Sequence, residues 1–249
     1  MGRFRATLAD PYLKTERARQ HLDALQSELE TFKNTKPHRF KTERDIVARE
    51  YRVHFEVEDV PDRILLIVGD FLTCLRASLD HLVWQLASIT KPYPKSTEFP
   101  ILDAPNAKHI KACTKGVPDD ARKVIVSLQP YQAGQAKAIH GHFLWRLNKL
   151  CNIDKHRRIP VHSNASTLRF PDIPKKFVRH LEFNSAVDAG AGTVTAPLEL
   201  EQYMRLDSDT DFNIIFGDSF EGIEIDVEGI VRLYKYVTDD VLPRFARFF

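Results

Sequence analysis

The chain has 249 residues, 43% hydrophobic and 28% charged, with a formal net charge of +2 and a pI near 8.4. That composition fits one large globular domain or two small ones and excludes a low-complexity or strongly charged disordered polymer. The mild basicity neither requires nor forbids a nucleic-acid partner.

Three cysteines, Cys74, Cys113 and Cys151, lie far apart, and no C-x-x-C occurs. Neither a disulfide framework nor a zinc ribbon is indicated, and the three read as reduced core thiols. The N-terminal stretch MGRFRATLADPYLKTERARQ has no apolar signal region. No run of about 18 apolar residues occurs anywhere, so no membrane span is expected and the expected location is cytoplasmic.

In chain order, Asp10 to Lys33 reads as an amphipathic helix with a thin stripe of Leu13, Ala18, Leu22, Leu25 and Leu29. Asn34 to Asp45 is basic, broken by Pro37, and reads as a solvated loop. Tyr51 to Val60 alternates apolar and polar residues as a strand does, with Val53, Phe55 and Val57 on one face. Pro61 to Thr90 is the strongest signal in the chain. A first-turn Pro and an acid open it, and Ile64, Val68, Phe71, Leu75, Leu79, Leu82 and Leu86 recur at three- and four-residue steps. Lys91 to Pro105 holds four prolines and reads as a long extended loop. Short helices are expected over Asn106–Cys113 and Pro118–Leu128, and a longer one over Ala136–Cys151. From Thr167 the texture changes to LRFPDIP, HLEFNSAV, TVTAPLEL and DFNIIFGDS, separated by turn residues, as in three or four antiparallel strands. Asp226 to Phe249 closes the chain as a helix with Val227, Ile230, Val231, Tyr234, Val237, Val241 and Leu242 inward.

The expected class is α+β: a mainly helical core, a small antiparallel sheet late in the chain, and a C-terminal helix. The expected division is 1–161 as helical core with one early strand and 162–249 as strands plus the last helix, packing back as one unit. The early strand is a candidate to join the late sheet.

The long helix carries an unusual second face: Asp70, Thr73, Cys74, Arg76, Ala77, Asp80, His81 and Ser88. Polar groups among small residues point to a close-packed face or the wall of a cleft. Arg76 and Asp80 are four apart and can pair along it. His81 lies a further 100° or so round, leaving Arg76 and His81 about 140° apart.

Arg76-Ala-Ser-Leu-Asp-His81, an Arg followed after four residues by a His on a helix, resembles the motif of the HEPN superfamily (higher eukaryotes and prokaryotes nucleotide-binding). The position after the Arg is Ala77, where such motifs usually carry a polar residue. The wider GDFLTCLRASLDHLVWQLA, with the later LCNIDKHRRIPV, also resembles a group of bacterial proteins for which the likeness implies no activity. The superfamily resemblance implies a helical bundle, metal-independent RNA cleavage of the toxin or phage-defence type, no cofactor, an active site at a homodimer interface, and an antitoxin or other protein partner. In that chemistry a ribose 2′-OH attacks the adjacent phosphate, which needs a proton acceptor and a cation. The roles implied are His81 as base or acid, Arg76 as phosphate fork and Asp80 as orienting group. The other reading is structural, with Arg76–Asp80 as a helix pair and His81 as a core or interface histidine.

Asn152-Ile-Asp-Lys-His-Arg-Arg158 sits at the end of a helix. Lys155, His156, Arg157 and Arg158 would make a compact phosphate-binding cluster, with Asn152 and Asp154 fixing its geometry. Equally, cations cap carbonyls at a helix C-terminus, and Asp154 would meet Arg76 or His81 across the core. The favoured version has both segments converging on one cleft. His140-x-His142 does not present two ligands on one helix face, and no metal site is expected. The leading expectation is a HEPN-like endoribonuclease; the alternative is a non-catalytic nucleotide- or protein-binding protein with structural use of both motifs.

Overall fold

The computed structural model describes residues 5–90, 94–165, 182–186, 191–203, 212–218 and 221–249. The chain divides into two compact units: 1–26, 63–159 and 217–249 in the first, and 27–62 with 160–216 in the second. The first unit is mainly helical and the second is built on antiparallel strands, so the class is α+β. The stretch LRFPDIP lies outside the described residues.

In the helical unit, α2 (Asp62–Thr90) is the central element. All seven residues of its expected stripe, from Ile64 to Leu86, are fully buried. Full burial of a Leu or Phe side chain contributes about 1.5–3 kcal/mol, so this one stripe is a large share of the unit's apolar driving force. The unit's part of α1 (Ala9–Asn34) buries Ala18, Leu22 and Leu25. Leu13 was expected in that stripe but is 66% exposed, because Thr15, one turn before Ala18 and two before Leu22, takes the inward register. Gln85 of α2 is buried and satisfied at both ends: it accepts from Thr7 N–H at 3.0 Å and donates to Asp10 at 2.7 Å.

After α2 the chain is extended over 94–105 and then forms α3 (Ala107–Cys113) and α4 (Asp119–Ser127). Asn106 caps α3 by accepting from His109 N–H at 2.9 Å. The single helix expected over Ala136–Cys151 is two helices, α5 (Ala136–Gly141) and α6 (Phe143–His156). His142 is extended between them, and its Nδ1 accepts from Leu144 N–H, so it ends one helix and caps the next. Gly141 is a poor helix interior residue and sits at the break. Helix α6 then runs on through the NIDKH segment, burying Leu144, Leu147, Leu150, Cys151 and Ile153.

The strand unit holds a four-stranded antiparallel sheet in the order β1 (His38–Asp45), β2 (Glu50–Val57), β5 (Ala191–Pro197), β4 (Glu182–Ala186). The early strand does join the late ones: Val53 lies opposite Val194 and Tyr51 opposite Ala196, and all four are buried. β1 occupies the stretch expected as a loop. HRFKTERD has no apolar alternation, and its pairing with β2 along the full eight-residue register supplies what its own sequence does not. β3 (Val161–Ala165) pairs antiparallel with β6 (Phe212–Asp218), whose last two residues belong to the helical unit.

There, Gly217 has φ +122°, and a Cβ on it would meet the Ile223 carbonyl oxygen at 2.1 Å. Only glycine allows that approach of backbone to β7 (Ile223–Asp226). Asp226 caps α7 (Val227–Lys235), accepting from Gly229 N–H at 2.6 Å. The C-terminal helix is regular only to Lys235. A wider turn over Tyr236–Val241 and tighter 3₁₀ turns over Leu242–Phe248 follow, with Pro243 unable to donate to a regular ladder.

Candidate functional site

Arg76 and Asp80 sit one turn apart on α2 and form an ion pair, Nη1 to Oδ1 at 2.9 Å. The pair is not a well-aligned hydrogen bond, and Nη1 is left without a hydrogen-bond partner. Both side chains instead spend their directional bonds on the backbone of one residue. Arg76 Nη2 donates to the Phe99 carbonyl at 2.8 Å, and Phe99 N–H donates to Asp80 Oδ1 at 2.8 Å. Phe99 itself is fully buried. The helix thus pins the middle of the proline-rich segment by both polar groups of a single residue. Only 15% of the Arg76 side chain is exposed, against 36% for Asp80. Burial holds the Asp80 carboxyl above its ordinary range, and neighbouring Glu98 pushes the same way. Arg76, the Phe99 amide and Lys155 oppose them.

His81, the next residue, is half-buried and makes no hydrogen bond or ion pair among the described residues. Of the three residues in the Arg-x4-His stretch singled out from sequence, it is the one whose side chain has no such bond among the described residues.

The last two turns of α6 meet the same helix. The Cys151 thiol points at the Leu72 carbonyl, 3.5 Å away. Burial pushes that thiol up to about 12, while Arg76 and Lys155 pull the other way. Asp154 lies over Gly69: a Cβ there would come within 2.6 Å of its Oδ1. Glycine at 69 therefore makes room for a carboxylate from the facing helix. Burial raises the Asp154 carboxyl, and the nearby charge of Asp70 raises it further.

Lys155 and His156 are exposed and make no hydrogen bond or ion pair among the described residues. Lys155 is near enough to act on both Asp80 and Cys151. Asn152 is exposed. Arg157 is committed elsewhere, to Asp218 at 3.2 Å and to Glu221. Arg158 is exposed and also engaged. The structure therefore brings Lys155 within electrostatic reach of Asp80, seats Asp154 against Gly69 nearer the start of α2, and turns Arg157 toward the end of β6.

The two histidines of His140-x-His142 part company. His140 stacks on Trp145 with ring centroids 4.4 Å apart, and His142 serves as the α6 cap while lying 3.5 Å from the Tyr236 hydroxyl. Sequence reasoning passed over a different trio. The Cys113 thiol donates to Glu98 Oε1 at 3.1 Å and lies 3.3 Å from His109 Nε2, which is 3.9 Å from Glu98 Oε1. His109 and Cys113 are four apart on α3, which was the legible half of the signal; Glu98 comes from the extended segment, where no periodicity marks it. Burial, then the Glu98 carboxylate, push the Cys113 thiol up to about 12.

The chain matches no family model, no curated protein and no solved structure.

Proposed function

We propose that this chain is a HEPN-like protein that binds RNA through the α2–α6 surface, with Lys155 and His156 holding phosphate and Arg76–Asp80 acting as the scaffold beneath. The observation that carries this reading is the division of labour among the cations. Arg76 and Arg157 are tied to protein groups, whereas Lys155 and His156 are exposed and have no hydrogen-bond or ion-pair partner among the described residues. Lys155 also lies within electrostatic reach of Asp80, which supports a link between the two sequence motifs. Lys155 also suits a helix C-terminus, where the macrodipole favours positive charge; RNA binding separates the two uses, because the dipole effect needs no ligand.

A second reading, metal-independent RNA cleavage of the toxin or defence type, is favoured by His81 alone: a half-buried imidazole beside Asp80, with no hydrogen bond or ion pair among the described residues, is placed to move a proton. In that reading the phosphate cation is not Arg76, already bonded to Phe99, but Lys155 brought beside His81 by a second copy of the chain.

The test uses the full chain and a fluorescein-labelled single-stranded RNA. Polarisation should show binding that weakens about tenfold or more in Lys155→Ala and His156→Ala, the loss of one charge-assisted hydrogen bond each. Unchanged affinity in both variants sinks the binding reading. For cleavage, the wild type should cut the RNA in the presence of a chelator, His81→Ala should not, and light scattering should give twice the 28.7 kDa chain mass. An uncut RNA leaves the binding reading standing and removes the catalytic one.

A further inference from the structure

We infer that Glu98, His109 and Cys113 form a site for a zinc ion, held by three protein ligands with the fourth position open to water. The inference is independent of the RNA reading and rests on different residues.

Zinc takes thiolate at about 2.3 Å and imidazole or carboxylate at about 2.0–2.1 Å, so a tetrahedral ion separates its ligand atoms by about 3.4–3.6 Å. The three atoms here are 3.1, 3.3 and 3.9 Å apart, each within about half an ångström of that spacing. The ligand set is itself selective. A thiol with an imidazole disfavours magnesium and calcium, which want oxygen, and suits zinc.

The site is built rather than accidental. His109 and Cys113 are one turn apart on α3, whose first turn is fixed by the Asn106 cap on His109 N–H itself. Glu98 N–H donates to the Cys113 carbonyl at 3.2 Å, tying the extended segment to the end of that helix. The next residue, Phe99, is the one clamped by Arg76 and Asp80. Three separate devices therefore hold the three ligands in register. The Cys113 side is buried, while His109 and Glu98 are 45% and 54% exposed, which leaves an entry path for the ion and room for a water. On binding, the thiol proton leaves to solvent and its hydrogen bond to Glu98 is replaced by two bonds to the metal.

The experiment titrates chelator-treated, tag-free full chain with cobalt(II) and zinc(II). One equivalent of cobalt should give a thiolate-to-metal charge-transfer band that zinc abolishes, and zinc should raise the melting temperature. Cys113→Ser should lose the band. Should that variant fold poorly, the surface variants His109→Ala and Glu98→Gln serve: each should weaken zinc binding at least tenfold in competition with a chromophoric chelator, with the metal-free melting temperature little changed. No charge-transfer band in the wild type, or a band and zinc affinity that survive all three substitutions, overturns the site.

Discussion

Asp80 and Asp154 are carboxylates that folding makes harder to ionise, and the sign of that effect is testable. Each has a folded-state value above the ordinary carboxylate range, with burial as the main cause. A raised acid contributes stability that is fully present below its unfolded value and is lost as pH rises through the folded one. Asp154→Asn removes this penalty while keeping the shape. Its melting temperature should exceed that of the wild type at neutral pH, and the gain should vanish once the pH falls below the ordinary carboxylate range. A gain independent of pH would mean that the Asp154 charge is not what is being relieved. The Asp80 case differs because its oxygen also accepts from Phe99 and pairs with Arg76. Arg76→Ala leaves that carboxylate and the Phe99 carbonyl without their partner, and should cost about 1–3 kcal/mol in denaturant unfolding. A loss below 0.5 kcal/mol, on the order of an ordinary surface change, would show that the clamp is not a stabilising contact.

Among elements, α2 was legible almost to the residue because one long apolar period, an opening proline and a terminating segment all agree. The site is legible in part for the same reason. Arg76, Asp80 and His81 fall on the polar side of a helix whose phase is certain, and their pairing at i,i+4 follows. What did not show in the sequence is which cations are already spoken for, since Phe99, Asp218 and Glu221 are distant in the chain. β1 was missed because its stability comes from its neighbour and not from its own pattern. The α5–α6 break was missed because His142, read as a helix residue, is a cap. The α2–α6 contact yields its own prediction. Gly69→Ala gains up to about 1 kcal/mol of helix propensity but drives a Cβ into the Asp154 carboxylate. Gly69→Ala should therefore be worth more in an Asp154→Ala background than alone, and a double-mutant cycle in urea measures the difference. Strict additivity would mean that the two helices do not meet there. At β6, Gly217→Ala should destabilise by more than 1 kcal/mol, since both its φ and the Ile223 carbonyl forbid the methyl group.

At the scale of the whole molecule, the chain weaves between a helical and a stranded unit, and the residues proposed to act all belong to the helical one. A net charge of only +2 means that RNA affinity has to come from a few placed cations and not from the general field. With Lys155 as the one fixed cation at the phosphates, a single strand gives a salt slope, d log K/d log[salt], of about −0.7, far shallower than that of a broad basic face. The most direct measurement sets two substitutions side by side, recording RNA affinity by polarisation and unfolding by denaturant for each. Lys155→Ala should lose affinity and keep stability, whereas Arg76→Ala should lose stability and, under conditions where it remains folded, keep affinity. The opposite pattern, with Arg76→Ala abolishing binding at unchanged stability and Lys155→Ala silent, would contradict the account.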